Sequence, residues 1–145
     1  MTEMDNKHQA VWDWLYQNED ISALFFNFST TEDGDTTIAP IVSDNAIKTF
    51  IDGTEIKQYD FSIIQYRQFN AQVPNSNENV SVIFDTENLM AWVKEQNKLR
   101  NFPVFPENCT ITRIIVLQDM PQATGINETD AQYMFSVRIE YIERR

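Results

Sequence analysis

Asp52-Gly53 and the alternating runs on either side of it constrain this chain more than any other stretch. Residues 46–69 read AIKTFIDGTEIKQYDFSIIQYRQF. Asp-Gly is a turn signal, because a two-residue type I′ hairpin needs positive φ at both central positions. Before it, Ile47, Thr49 and Ile51 alternate with Lys48 and Phe50; after it, Tyr59, Phe61, Ile63 and Gln65 alternate with Asp60, Ser62, Ile64 and Tyr66. Both rows of the second arm carry apolar residues. That pattern predicts a strand covered by a helix on one face and partly by something else on the other. The stretch predicts a long hairpin at the centre of an antiparallel sheet, which defines a globular domain and no activity.

The flanking segments predict the rest of the domain. Met4, His8, Val11 and Leu15 share one helical stripe, broadened by Trp12 and Trp14, so 4–18 reads as a helix. Residues 24–29, LFFNFS, and 36–42, TTIAPIV, read as strands around a polar turn at Asp33-Gly34. Pro40 confines the second of these to an edge or ends it. The polar tract at 70–79, NAQVPNSNEN, has no periodicity and reads as a long loop, mobile or part of an interface. Its candidate interface residues are Gln72, Pro74, Asn75, Asn77, Glu78 and Asn79. Residues 80–84 read as a short strand. A helix capped at Asp85 or Thr86 then runs to about Arg100, with Leu89, Trp92, Val93, Gln96 and Leu99 on or near one face. Pro103 and Pro106 prevent its continuation. Residues 109–117 and 131–142 read as strands joined by a loop, and the second alternates cleanly from Tyr133 to Tyr141. The expectation is one α+β domain over 1–145, an antiparallel sheet packed by two main helices.

Charge narrows the partners. The chain of 145 residues carries a net charge of −11. Residues 1–60 hold twelve acids and three bases, whereas residues 61–145 hold ten acids and eight bases. A protein that neutralises phosphates needs the opposite sign, so specific nucleic-acid binding is not expected. No run approaches the ~20 apolar residues of a membrane span, so no membrane partner is expected. The polar start MTEMDNKHQ does not read as a signal peptide and places the chain in a cytosol. Four Asn-x-Ser/Thr sequons, at Asn27, Asn79, Asn108 and Asn127, carry no meaning without secretion.

Reactive constellations are hard to assemble from these residues. His8, the single histidine, reads as a partly exposed helix residue rather than the base of a catalytic triad. Cys109, the single cysteine, has no cationic neighbour in sequence to lower its pKa and reads as a small, mostly buried residue. Glu32, Asp33 and Asp35 lack the ligand spacing of a calcium loop and read as a solvated turn. Trp12, Trp14 and Trp92 sit at helical spacing and read as core. Three glycines leave no phosphate cradle. No catalytic, metal or cofactor-binding residue is therefore assigned, and no cofactor is expected. Two other classes stay open: a small acidic enzyme, and a monomeric acidic module that binds or inhibits a partner by mimicking nucleic acid.

Four segments carry a resemblance: LFFNFSTTEDGDTTIAPI, IKTFIDGTEIKQYDFSIIQY, NENVSVIFDTENLMAWVKEQNKLRNFP and YMFSVRIEYIE. Together they resemble a family of minor capsid or head–tail joining proteins of tailed phages and prophages of Gram-positive bacteria, similar to tail terminators in size and element order. The resemblance implies a structural protein of the virion, acting in the host cytoplasm without chemistry or cofactor. It implies self-assembly into a ring, typically a hexamer, that caps the tail tube and meets the head connector. In such a ring, the acidic first sixty residues would line the lumen or an exposed face, repelling DNA. The more balanced remainder would supply more of the subunit contacts.

Overall fold

A computed structural model describes residues 3–19, 21, 23–26, 35–41, 46–68, 77–126 and 130–144. In chain order these form α1 (Glu3–Leu15), β1 (Ala23–Phe26), β2 (Asp35–Ile41), β3 (Lys48–Thr49), β4 (Glu55–Gln68), α2 (Asn77–Leu99), β5 (Cys109–Val116), β6 (Gln122–Ile126) and β7 (Asp130–Glu143). The fold is α+β. Its sheet is mixed rather than wholly antiparallel, because β1 pairs with β2 in parallel while the other pairings are antiparallel.

Two fourteen-residue strands form the spine. β4 and β7 pair along their whole length, from Glu55 opposite Glu143 to Gln68 opposite Asp130. At roughly 3.4 Å per residue each spans about 45 Å. β2 and β3 share the outer edge of β4 in tandem, and β5 and β6 share that of β7. Directly opposed residues lie on one face. The odd-numbered row, with Tyr59, Phe61, Ile63, Phe135, Val137, Ile139 and Tyr141, is buried in one cluster. Ala10, Val11, Trp14 and Leu15 of α1 and Leu89, Met90 and Val93 of α2 complete that cluster, so both helices cover the same face. Trp14 is core, as expected; Trp12 and Trp92 are half-buried against it. Leu99 is exposed.

The Asp52-Gly53 turn differs from its expected form. Only Gly53 has positive φ, 90°, and Asp52 does not. The Gly53 N–H donates to the Phe50 carbonyl, and the Phe50 N–H donates to that of Thr54. This is a three-residue turn closed by a glycine bulge, in which one left-handed residue suffices. The Asp52 carboxylate accepts the Thr54 N–H at 2.9 Å. The first arm is paired only at Lys48–Thr49, so the hairpin is short on that side. β2 lies between β1 and β4 and continues through Pro40, which pairs with Phe61, to Ile41, so the proline neither ends the strand nor confines it to the edge of the sheet; it lies two residues beyond the last described β1–β2 pair, Phe26 opposite Ile38.

The second helix is longer than the sequence predicts. Residues 80–84 are helical, and α2 starts at Asn77, so the polar tract read as loop over 70–79 gives its last three residues to the helix. β-branched propensity in VSVIF is a weak preference, overridden once the segment continues into a packed helix. The 118–130 loop also contains a strand, β6, bulged between Ala123 and Gly125. The Asp33-Gly34 turn lies outside the described residues.

α2 ends in a Schellman motif. The Asn101 N–H donates to the Gln96 carbonyl and the Arg100 N–H to that of Asn97. Arg100 holds φ 56°, a left-handed conformation that favours glycine. The same turn joins the helices, since Trp14 Nε1 donates to the Asn101 carbonyl at 2.7 Å. Arg100→Gly is expected to stabilise the domain by roughly 0.5–1 kcal/mol, net of its lost contact over the Phe102 ring. Urea unfolding checks this; a destabilised variant would show that the guanidinium contacts outweigh the backbone strain.

Candidate functional site

The sequence-predicted site residues divide in two. Gln72, Pro74 and Asn75 lie outside the described residues. Asn77, Glu78 and Asn79 form the first turn of α2 and do not belong to a loop.

The polar chemistry gathers elsewhere, where α1 crosses the end of the β4–β7 spine. Lys7 is 3% exposed. Its Nζ donates to the Tyr141 hydroxyl at 3.2 Å and to Glu143 Oε1 at 3.0 Å. Lys57 Nζ donates to Glu143 Oε2 at 2.5 Å. Glu143 is thus clamped between two ammonium groups, one per carboxylate oxygen. Cys109, half-buried, lies with Sγ 3.6 Å from Glu143 Oε1. At the next residue of α1, His8 Nδ1 is hydrogen-bonded to the Tyr59 hydroxyl. The His8 ring also packs against Phe26, with centroids 5.0 Å apart. The histidine is half-buried and docked on the sheet.

Each shifted group in this network is held in its ordinary neutral-pH form. Burial acts to raise Glu143, but the hydrogen bonds from Lys57 and Lys7 win and hold it below its usual 4.5. Burial acts to lower Lys7, but bonding to Tyr141 and Glu143 lifts it above 10.5. Glu143 lifts Lys57 likewise. Burial pushes the phenols of Tyr59 and Tyr141 up. The arrangement clamps a helix to a sheet. Among the described residues, no group of three or more His, Cys, Asp or Glu side chains could hold a metal.

Two surface features flank the clamp. A groove of about 400 Å³ opens between α1 and β1, lined among the described residues by His8, Gln9, Trp12 and Phe26. At the end of the spine, the turn between β3 and β4 projects beyond Glu143 and carries exposed Phe50 and Ile51, with Ile47 beside them.

The even-numbered face of the sheet has no helix over it among the described residues. Its charges pair with one another: Arg138 Nε and Nη2 donate to Asp60 at 3.0 and 3.2 Å, and Arg113 Nε and Nη2 donate to Glu140 at 2.7 and 3.1 Å. Ser62 and Ser136 hydroxyls bond across β4 and β7 at 3.1 Å. Ile64 pairs with Met134 on the same face. Exposed Ile41, opposite Asp60, lies at its margin. No helix of the described residues is long and apolar enough to cross a membrane. The sequence signals for these features were weak, because salt-bridge partners such as Lys7 and Glu143 lie 136 residues apart. No protein-family model matches this chain, and no curated protein does.

The clamp makes two measurable claims. Glu143→Gln leaves buried Lys7 without its anion and is expected to cost about 2–3 kcal/mol, whereas Lys7→Met, which leaves the Lys57–Glu143 pair intact, should cost under about 1 kcal/mol. Chemical denaturation of the two variants checks this, and equal losses would count against the clamp. The pH dependence follows from the same groups. Stability supplied by Glu143 is present above its ordinary value and lost as pH falls through its lowered one. Stability supplied by Lys7 and Lys57 is complete below 10.5 and lost as pH rises through their raised values. The buried phenol of Tyr141 withdraws stability above 10.0. A plateau between about pH 5 and 10 is expected in denaturation midpoints, with the acid limb flattened in Glu143→Gln.

Proposed function

We propose that this chain is a structural protein of the head–tail junction of a tailed phage or prophage, a tail terminator that closes into a ring on the tail tube. The observation that carries the proposal is the sheet face that bears no helix among the described residues. Its arginines and carboxylates neutralise one another, and apolar Ile64 and Met134 lie among them. In a chain of net charge −11, a self-neutralised face is where like-charged copies or tail proteins can approach at least electrostatic cost. The four resembling segments support the same reading. They fall on β1–β2, on β3–β4, on α2 with the start of the linker after it, and on β7. The proposed setting is the virion and the host cytoplasm; the partners are further copies of the chain, the tail tube and the head connector. The acidic first sixty residues would supply much of the DNA path or of an exposed ring face and repel the duplex. The polar tract before α2, with Gln72, Pro74 and Asn75, would meet a neighbour.

Sedimentation across a salt series tests the proposal, with and without purified phage tail tubes. Binding to tube ends as a ring is expected, eased by added salt that screens the repulsion between acidic copies. A chain that remains monomeric at every salt and protein concentration, and unbound when tubes are added, would sink it.

A further inference from the structure

The turn between β3 and β4 is built as a rigid apolar tip. The glycine bulge fixes its backbone, and the Asp52 carboxylate is turned back onto the Thr54 N–H. Ile51 at its apex is as exposed as an isolated residue, at 109%, and Phe50 is 41% exposed. Tight turns favour Gly, Asn, Asp and Ser, so a fully hydrated isoleucine there gains nothing for the fold. Lys48 lies over the Phe50 ring, its Nζ 5.0 Å from the centroid, which places a cation beside the apolar pair.

The groove between α1 and β1 has the complementary character. Its wall is aromatic, from His8, Trp12 and Phe26, and half-buried rather than filled. At its rim Gln9 Nε2 donates to Asp13 Oδ1 at 2.9 Å, holding an exposed carboxylate beside the aromatic wall. Tip and groove occupy different places on the molecule. The tip lies beyond the Glu55–Glu143 end of the spine, while the groove sits beside Tyr59 and the Phe26–Ile38 pair.

We propose that this chain binds a second copy of itself head to tail, the Phe50–Ile51 tip of one copy entering the His8–Trp12–Phe26 groove of the next. Lys48 of the entering tip then meets the rim carboxylate of Asp13, so the apolar and the charged parts match together. A contact between two different patches is heterologous and generates a ring where the rotation closes, or a filament where it does not. The contact deepens the assembly reading and rests on it for its biological setting. The experiment needs no tail protein, so either can fail without the other.

Sedimentation equilibrium of the full chain in about 0.5 M salt, where repulsion between acidic copies is screened, gives the test. The wild type is expected to associate with rising concentration. Ile51→Asp should weaken association at least roughly tenfold, as loss of a central apolar anchor does. Trp12→Ala should do the same; because Trp12 also packs against the core, Gln9→Arg serves as a second groove variant, adding a cation and bulk at an exposed rim position. The decisive arm is a mixture. Ile51→Asp keeps its groove and Gln9→Arg keeps its tip, so together they should form a one-to-one dimer that grows no further. Overturning results are a wild type that stays monomeric to ~1 mM, single variants that associate like the wild type, or a mixture in which no dimer forms.

Discussion

The fourteen-residue antiparallel pairing of β4 with β7 is the constraint on which the other elements depend. Because it runs from Glu55–Glu143 to Gln68–Asp130 without a bulge, the two alternating rows stay in phase along the whole spine. A slip of one residue would exchange Tyr59, Phe61 and Ile63 for Asp60, Ser62 and Ile64 under the helices, placing a carboxylate and a hydroxyl in the core. That penalty fixes the register. With it fixed, one face becomes the floor for α1 and α2 and the other is left to polar ladders. The flanking strands can then be short, because each needs only part of a fourteen-residue edge.

The ends of the spine hold what the middle does not. At the Glu55–Glu143 end, α1 is tied down by an ammonium taken almost wholly out of water, tolerable because Tyr141 and Glu143 both receive it. Lys57 supplies the second cation, so the carboxylate leaves neither oxygen unpaired. The same clamp sets α1 down with His8 on Tyr59 and Phe26, which shapes one wall of the groove. The turn beyond this end projects clear of the sheet because β7 pairs no further than Glu143. The tip is thus a consequence of where the spine stops, and the groove of where α1 is set down on the sheet.

Electrostatics follows the same division. The chain is strongly acidic, yet its inward and helix-free charges are matched locally: Glu143 by two lysines, Asp60 by Arg138, Glu140 by Arg113. The net acidic excess lies mostly in the first sixty residues. Repulsion between like charges is least where each charge already has its partner, so these matched surfaces can be approached by another acidic chain at the least electrostatic cost.

By itself the sequence determined the class of fold and its layers. Period-two alternation in 55–68 and 130–143 and period-3.6 stripes in α1 and α2 record which side of each element meets water, and that is a local property of the chain. The glycine at the left-handed position of the β3–β4 turn and the helix stop before Pro103 were legible for the same reason. Tertiary structure decided the rest. Asp52-Gly53 allowed several turns, and pairing of the flanking strands selected the bulged one. VSVIF read as a short strand, and only its continuation into a packed helix placed it in α2. The parallel direction in which β1 pairs with β2 is encoded in no local pattern. Lys7, Glu143, Lys57 and Tyr141 meet only because the spine brings the two termini of the fold together, and contacts between residues far apart in sequence leave no periodic trace in it. The groove and tip are shapes made where several elements end, so no single run of residues describes them.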